Sequence, residues 1–519
     1  MYFPGIICPL YFATCLLDFA APAETQSPQP DDDAGDFHIA IIGAGIAGAS
    51  AAYHLRRLSA SGTEQSQNLK ITVYQTSPVV GGKVKTISPA TAYHSLEAGG
   101  SYFFEDDWCL SDTARSLDLE RRNGYRFLED RFCFPDAPRA ATPSFWAPAR
   151  AIVWQTVKTF VIRNPPEVGT KSELGEFRSE VVSMQERLRS LGRNDVFGGL
   201  HDELDRVGLG GTINSSAEKF LKALAVPDSF QTGVVEPCVE ALFGLDIKQA
   251  TGLHIVASTG STRSQPLSIR FGNEELITRM LHESGARLHM DSQVTKVETG
   301  SQRRFSLTIA STNSTEQARE EHDAVVFTGG SMARLQSHGS EPSLKTSQHH
   351  VTHFASDFTL ASEVVGLELG WDPSTLFTTA NSSFLDSETR IMRLTTFPEF
   401  YIDGSLCSWD DECDQFVHVH RVDPRVPLSE TKRRLIAGFN EDPRSNYLIW
   451  NHTQSWNHTL PADSSHHSNT VAYQTEPEPG LLNMSCRMGR NAALKLLQTP
   501  LLPNGLSQGE QVAGFQAIP

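Results

Sequence analysis

The chain has 519 residues, of which 39% are hydrophobic and 20% charged. That is enough apolar material for two or more packed layers around a continuous core, and too much for a disordered protein. With 44 Lys and Arg against 61 Asp and Glu, the formal net charge is -17 at pH 7, which repels a nucleic-acid backbone or an anionic membrane surface and excludes both as expected partners.

The chain starts MYFPGIICPLYFATCLLDFAAPAETQ, an apolar run broken by Asp18 and followed by the small residues Ala20, Ala21 and Ala23. It reads as a cleaved signal peptide over 1–23, with a short apolar tail or an anchor as the alternatives. The run lacks a leading Lys or Arg, and it is shorter than the roughly 20 residues a spanning helix needs, so no transmembrane anchor is expected. Six N-x-Ser/Thr sequons, at Asn214, Asn313, Asn381, Asn451, Asn457 and Asn483, point the same way, to a glycoprotein of the secretory pathway, secreted or vacuolar/lysosomal. Signal removal would take Cys8 and Cys15 and leave six cysteines, paired or free. Cys407 and Cys413 close the short loop CSWDDEC and are the leading disulfide candidate, although spacing does not fix pairing. No CxxC occurs, so neither a redox dithiol nor a zinc site is indicated.

Residues 24–36, polar and Pro-containing with a run of Asp, read as a flexible leader. FHIAII, from Phe37, is a near-continuous apolar run suited to a parallel strand covered on both faces, and a helix follows through Leu58. After an insertion-like loop, LKITVYQ is the second strand. From about Asp106 to Thr259 the periodicity is helical with many charges, as in SELGEFRSEVVSMQERLRSL. Strand and helix signals like the first ones return in NEELITRMLHESGARLHMDSQVTKVE and DAVVFTGG. A β-rich, Ser/His-rich stretch and a last helix, SCRMGRNAALKLLQ, close the chain. The alternation predicts an α/β fold: a Rossmann-type dinucleotide domain assembled from the discontinuous segments 37–105, 262–335 and 470–500. An α+β substrate-binding domain would fill 106–261 and 336–469, with 501–519 as a tail.

In GAGIAG, between strand and helix, Gly43 serves the tight turn, Gly45 the approach of backbone to a pyrophosphate, and Gly48 the packing of helix on strand. Ala44, Ile46 and Ala47 complete the cradle at the helix N-terminus. The second strand ends in Gln75 where an acid ordinarily binds the ribose hydroxyls; its carbonyl can still accept a hydrogen bond, without the strengthening charge. The alternative is a surface Gln beside a decayed nucleotide site. SPVVGGKV adds Gly81, Gly82 and Lys83, and EAGGSY adds Gly99, Gly100 and Ser101, further places for close backbone approach to a cofactor.

Together these glycine motifs resemble the FAD-binding signature of the flavin amine oxidase and phytoene desaturase-like superfamily, with GGK where the usual form is GGR. SIRFGNEELITRMLHESGARLHMDSQVTKVE resembles that superfamily's unit in which the residue at Val294 offers backbone groups to the adenine. HDAVVFTGG resembles the strand passing under the cofactor. Within the superfamily the chain resembles the prenylcysteine oxidase (prenylcysteine lyase) family, through IAIIGAGIAGASAAYHLR, EAGGS, FQTGVVEPCVEALFGLDIKQATGLHIVAS, FGNEEL and NMSCRMGRNAAL. That resemblance implies an FAD enzyme that cleaves S-farnesyl- or S-geranylgeranyl-cysteine with O2 and water, giving cysteine, the prenyl aldehyde and hydrogen peroxide, in prenylated protein degradation. A flavin amine oxidase of the same fold, or an inactive flavin-fold binding glycoprotein, is the alternative. The chain departs from the family in YFFEDDW after EAGGS, in the Pro-rich YQTEPEPGLLNM, and in Asn483, where an acid near the flavin is expected.

Other signals are weaker. His418 and His420 share a strand face and His466 and His467 share a loop, but no Cys or carboxylate stands at matching spacing, so exposed histidines are expected rather than a metal site. FFEDDW reads as a solvated, helix-starting acidic turn. Phe145, Trp146, Trp154 and Phe160 read as core or lid packing, with a prenyl channel as the alternative. No GxSxG elbow supports a serine hydrolase.

Overall fold

A computed structural model describes residues 36–60, 69–87, 95–100, 103–123, 171–191, 196, 200–231, 235–243, 245–259, 266–299, 304–314, 316–328, 346–356, 375–377, 391–401, 416–424, 426–431, 433, 450–459, 472–474 and 482–498. The signal peptide, residues 24–35 of the leader, the C-terminal tail, Ser101, Asn381, the Cys407–Cys413 loop, His466, His467 and the aromatic residues from Phe145 to Phe160 lie outside the described residues.

The strand read from FHIAII forms as β1 (Phe37–Ile42) and runs through the GAGIAG turn into α1 (Ile46–Ala60). It is the centre of a parallel five-stranded sheet, flanked by β2 (Leu69–Tyr74) and β12 (Ala324–Phe327), with β8 (Arg287–His289) and β18 (Ala472–Gln474) at the edges. Its side chains alternate between two cores. Phe37, Ile39 and Ile41 pack with α1, α9 (Asn273–Glu283) and α10 (Leu482–Leu497). Ala40 and Ile42 face the antiparallel meander of β9 (Ser292–Thr299), β10 (Phe305–Ser311) and β11 (Gln317–His322), meeting Val294, Leu307 and Ile309. Cover on both faces is the physical reason the strand is apolar at nearly every position.

Small sheets connect this body to the rest: the ribbon β3 (Thr86–Ile87) with β4 (Leu96–Glu97), and β5 (Phe103–Phe104) and β6 (Arg121–Asn123) on either side of β7 (Pro266–Ile269). The helical region comprises α2 (Trp108–Ser116), α3 (Lys171–Ser190), α4 (Leu200–Arg206), α5 (Gly210–Asn214), α6 (Ala217–Ala223), α7 (Glu236–Phe243) and α8 (Gly252–Thr259). Phe177, Val181, Met184 and Leu188 recur at helical spacing along α3, and the first two pack with Phe220, Val239 and Ile255. The β-rich stretch forms an antiparallel sheet of β14 (Thr375–Phe377), β15 (Ile391–Tyr401), β16 (Phe416–Pro424), β13 (Thr346–Ser356) and β17 (Trp450–Thr459), in that spatial order. These elements make the expected α/β architecture, a Rossmann-like body accompanied by a mixed α+β part.

The last helix fastens the helical region to the dinucleotide fold. Arg487 of α10 donates to Leu188 O (2.7 Å) and Arg189 O (2.9 Å), satisfying carbonyls at the end of α3, and its guanidinium lies over the Trp108 ring with that of Arg490. A disulfide joins Cys109 of α2 to Cys486 of α10 across 377 residues of sequence. No spacing rule could have selected that pair. Two readings change in detail. His420, expected exposed, is fully buried in β16 with its ring 5.1 Å from that of Phe354, because both faces of that part of the sheet are covered. In the acidic turn Glu105 and Asp106 are exposed as expected, whereas Asp107 is largely sequestered, accepts the Phe104 N–H at 2.8 Å, and is pushed up to about 6 by burial. Among the sequons, Asn313 stands in the exposed β10–β11 turn, Asn214 ends α5, Asn451 and Asn457 lie in the edge strand β17, and Asn483 is in the first turn of α10. Among the described residues no helix is long and apolar enough to cross a membrane.

Candidate functional site

The glycine-rich turn is built around one contact. Gly43 has φ +108° and donates to Tyr74 O (2.9 Å), which reverses the chain at the end of β1. A Cβ on Gly48 would lie 1.9 Å from Gly43 O, so only glycine lets α1 seat on the turn. The first closed turn of α1 is Ala49 N to Gly45 O (2.9 Å), which leaves the amides of Ile46, Ala47 and Gly48 without an intrahelical acceptor. No acid stands in that first turn to occupy them.

The second and third glycine motifs fold back onto the first. Gly81 N donates to Ala44 O (3.0 Å), Gly81 bridges to Gly45, and a Cβ on Gly82 would be 3.5 Å from Gly45 Cα, so two backbones meet without side chains between them. Lys83 O in turn accepts Gly100 N–H (3.2 Å), and a Cβ on Gly99 would fall 1.8 Å from that oxygen. Three sequence-distant glycine motifs therefore converge through hydrogen bonds at one end of β1. The Lys83 side chain is exposed.

A junction between EAGGS and FGNEEL, whose pairing neither motif announced, holds this end of the site. Glu97, 1% exposed, accepts the Asn273 N–H (2.7 Å) and the Thr86 hydroxyl (3.2 Å). Asn273 donates through Nδ2 to Gly100 O (2.8 Å) and accepts Ile269 N–H at Oδ1 (3.0 Å). From the antiparallel sheet, Arg421 donates to Glu97 O (3.1 Å) while pairing twice with Asp423, at 2.9 and 3.0 Å. A buried cation thereby links β16 to Glu97, two positions ahead of Gly99. The signal that could have found it is the charged pair Arg421 and Asp423 inside an otherwise strand-forming segment.

At the end of β2, the Gln75 amide is spent locally. Oε1 accepts the Ala44 N–H (2.9 Å), and Nε2 donates to Ser77 Oγ (2.6 Å) and Val79 O (3.2 Å). Gln75 braces the turn, and the second lone pair of its carbonyl is what remains for a ribose hydroxyl. Val294 is buried in β9, opposite Ile309 beside a β-bulge, and the start of β9 is tied to Gln75 by Ser292 N to Gln75 O (2.8 Å). Below it Tyr74 donates to Glu320 Oε2 (2.6 Å), so the contact with His322 Nε2 (2.9 Å) places the proton on Nε2. His322 Nδ1 is then bare and buried without a partner among the described residues.

Burial holds three histidines well below their ordinary 6.5: His322 and His254 at about 4 and His54 at about 3. Depressed folded-state values leave stability untouched above about pH 6.5, where both states are neutral. Between there and about pH 4 the unfolded chain binds protons that the folded chain refuses, at a cost of up to about 1.4 kcal/mol per pH unit per residue. Asp107 acts in the opposite sense, because its raised value is a penalty at neutral pH that fades as it protonates below about pH 6. Three against one predicts a melting temperature that falls on acidification from about pH 7 to about pH 4.5, and a shallower fall in His254→Gln. A flat profile, or one unchanged by that substitution, would count against these assignments.

The group that these residues fit is FAD: a diphosphate suits uncommitted amides at the start of a helix free of acids, and the side-chain-free glycine contacts admit a flat cofactor against backbone. Comparison with known proteins agrees. The profile of the family described as flavin containing amine oxidoreductase matches residues 46–360. Among solved structures, the chain is similar to a putrescine oxidase triple mutant redesigned in cofactor binding, with 14% identity over 89% of this chain and 99% of that one and a TM-score of 0.54. It is also similar to cyclohexylamine oxidase from Brevibacterium oxydans IH-35A, with 13% identity over 89% and 98% and a TM-score of 0.51. At such identity the likeness speaks for the fold alone. No curated protein matches the chain. With the profile spanning more than half of the sequence, the chain belongs to the flavin containing amine oxidoreductase family, and its cofactor is FAD.

Proposed function

We propose that the protein is an FAD-dependent thioether oxidase of the prenylcysteine oxidase type, working in the secretory pathway. The observation that carries this reading is the junction of Glu97, Gly100 and Asn273. It unites EAGGS and FGNEEL, two of the segments on which the narrower resemblance rests, through two hydrogen bonds of 2.7 and 2.8 Å made by Asn273. When bound, FAD supplies a hydride acceptor and passes the electron pair to O2, giving hydrogen peroxide.

The substrate suits this chemistry. The carbon between sulfur and the prenyl double bond gives up hydride because the resulting cation is delocalised over both. Water adds there, a proton leaves, and the thiohemiacetal collapses to cysteine and the prenyl aldehyde. No strong base is needed, so the work of the chain is to orient the reactive carbon and to hold water and tail in place. Gly99 and Gly100, held by Lys83 and Asn273 and backed by Arg421 on Glu97, would offer the cofactor a wall of backbone.

A second reading, oxidation of a C–N bond, is favoured by the family profile itself. The secreted full chain is expected to be yellow and to release peroxide with S-farnesylcysteine, with free thiol formed in equal amount. Peroxide with a panel of amines and none with S-farnesylcysteine would move the assignment to an amine oxidase. A colourless chain that no added FAD reconstitutes would end both readings.

A further inference from the structure

Along α1, about two turns beyond the glycine motif, three potential metal ligands come together. A ring nitrogen of His54 and the Sγ atoms of Cys109 and Cys486 all lie within 4.8 Å of one another. They come from α1, α2 and α10, three elements far apart in sequence. In the structure the two sulfurs are joined as a disulfide with Cα atoms 6.0 Å apart. We propose that His54, Cys109 and Cys486 form a redox-gated site for a thiophilic divalent cation of the zinc type, shut while the disulfide is closed and opened by its reduction.

The geometry asks for little movement. A tetrahedral ion with sulfur at about 2.3 Å and nitrogen at about 2.0 Å sets S···S near 3.8 Å and S···N near 3.5 Å. Once the S–S bond is broken, rotation about the two cysteine side chains opens that gap, and the imidazole is already in range. His54 Nε2 is buried with no hydrogen-bond partner among the described residues, a vacancy that a metal would fill. Burial, with Arg490 and Arg57 nearby, keeps the ring neutral, the form that ligates. The Ser50 hydroxyl, 3.7 Å from Cys486 Sγ and 2.7 Å from Cys486 O, is placed to support a ligating thiolate.

Charge and electrons balance. A dithiol reductant transfers two electrons and two protons to the disulfide and closes its own disulfide in exchange. The cation then displaces both thiol protons, and Zn2+ with two thiolates, one imidazole and one water is neutral, as a buried centre requires. The disulfide joins α2 to α10 in an oxidising compartment, and the metal would hold the same two helices, together with α1, in a reducing one. This inference is independent of the substrate proposed above.

The test uses the FAD-loaded full chain. It is reduced anaerobically with a dithiol, freed of reductant by gel filtration, offered zinc sulfate and desalted. Bound zinc is measured by mass spectrometry, and alkylation of Cys109 and Cys486 is read on their peptides. The reduced protein is expected to hold one zinc more than its oxidised form and one more than Cys109→Ser. Zinc should protect both cysteines from alkylation, and His54→Gln should bind at least about tenfold more weakly. Equal zinc in reduced chain and Cys109→Ser, unprotected cysteines, or unchanged affinity in His54→Gln would overturn the site. Uptake by the oxidised form would overturn the gate. Circular dichroism distinguishes the remaining case, and a reduced chain that unfolds and is not restored by zinc also overturns the proposal.

Discussion

Replacing Gly48 with alanine is expected to strip the protein of its flavin. The new methyl carbon would fall 1.9 Å from Gly43 O and 3.1 Å from the carbonyl carbon behind it. Neither atom belongs to a flexible side chain, so α1 must lift off the turn. Overpacking of this kind costs about 1–3 kcal/mol in stability. The larger effect falls on binding, because the amides of Ile46 and Ala47 move with the helix start. Affinity for added FAD should fall at least about tenfold, since about 1.4 kcal/mol is tenfold in Kd, and visible absorbance per chain after gel filtration should fall with it. Gly211→Ala is the control: it lies in a helix with nothing within 4 Å of its new Cβ, and it should be neutral or stabilising by up to about 1 kcal/mol with full flavin content. If Gly48→Ala keeps stoichiometric flavin, the turn is not the phosphate cradle.

The second large effect belongs to Arg421. Arg421 is 4% exposed and Asp423 is fully buried, so Arg421→Met leaves a carboxylate in the interior without its bidentate partner. Breaking such a pair from one side costs about 3–5 kcal/mol. Removing both charges, in Arg421→Met with Asp423→Leu, should recover most of that loss, because the penalty lies in the stranded charge more than in the lost attraction. Urea unfolding of the two single variants and the double variant gives the coupling directly. A single variant that loses less than about 1 kcal/mol would show that the pair is not the strut described. Since Arg421 also holds Glu97 O, the same variant should loosen the Gly99–Gly100 segment and weaken flavin retention.

What was legible in the sequence was what one dimension can hold. β1 is apolar on both faces because a helix layer and a meander cover it, and an unbroken apolar run reports that directly. The three glycine motifs were legible because each occupies a place where a Cβ would strike backbone or keep two backbones apart. The use of Gln75 was only half legible: the residue and its acceptor could be read, but Ala44 N–H claims one lone pair of that acceptor through a contact 31 residues away in sequence. The Cys109–Cys486 bond, the hold of Arg421 on Glu97 and the burial of His420 were not legible. The first two depend on elements meeting across hundreds of residues and the third on cover over both faces of the sheet, and no local pattern names those partners.

The sheet order also sets a clock. β1 is among the first elements of the fold to leave the ribosome, and β2 follows it closely, but its other neighbour, β12, pairs across a separation of 285 residues measured at His38 and Asp323. At about 5–20 residues per second, one edge of an apolar strand waits for its partner for roughly 15–60 s. Through that interval FHIAII is an open template for pairing with another chain. Yield in a heterologous host should therefore depend on chaperone supply and on elongation rate more than on the stability of the finished protein.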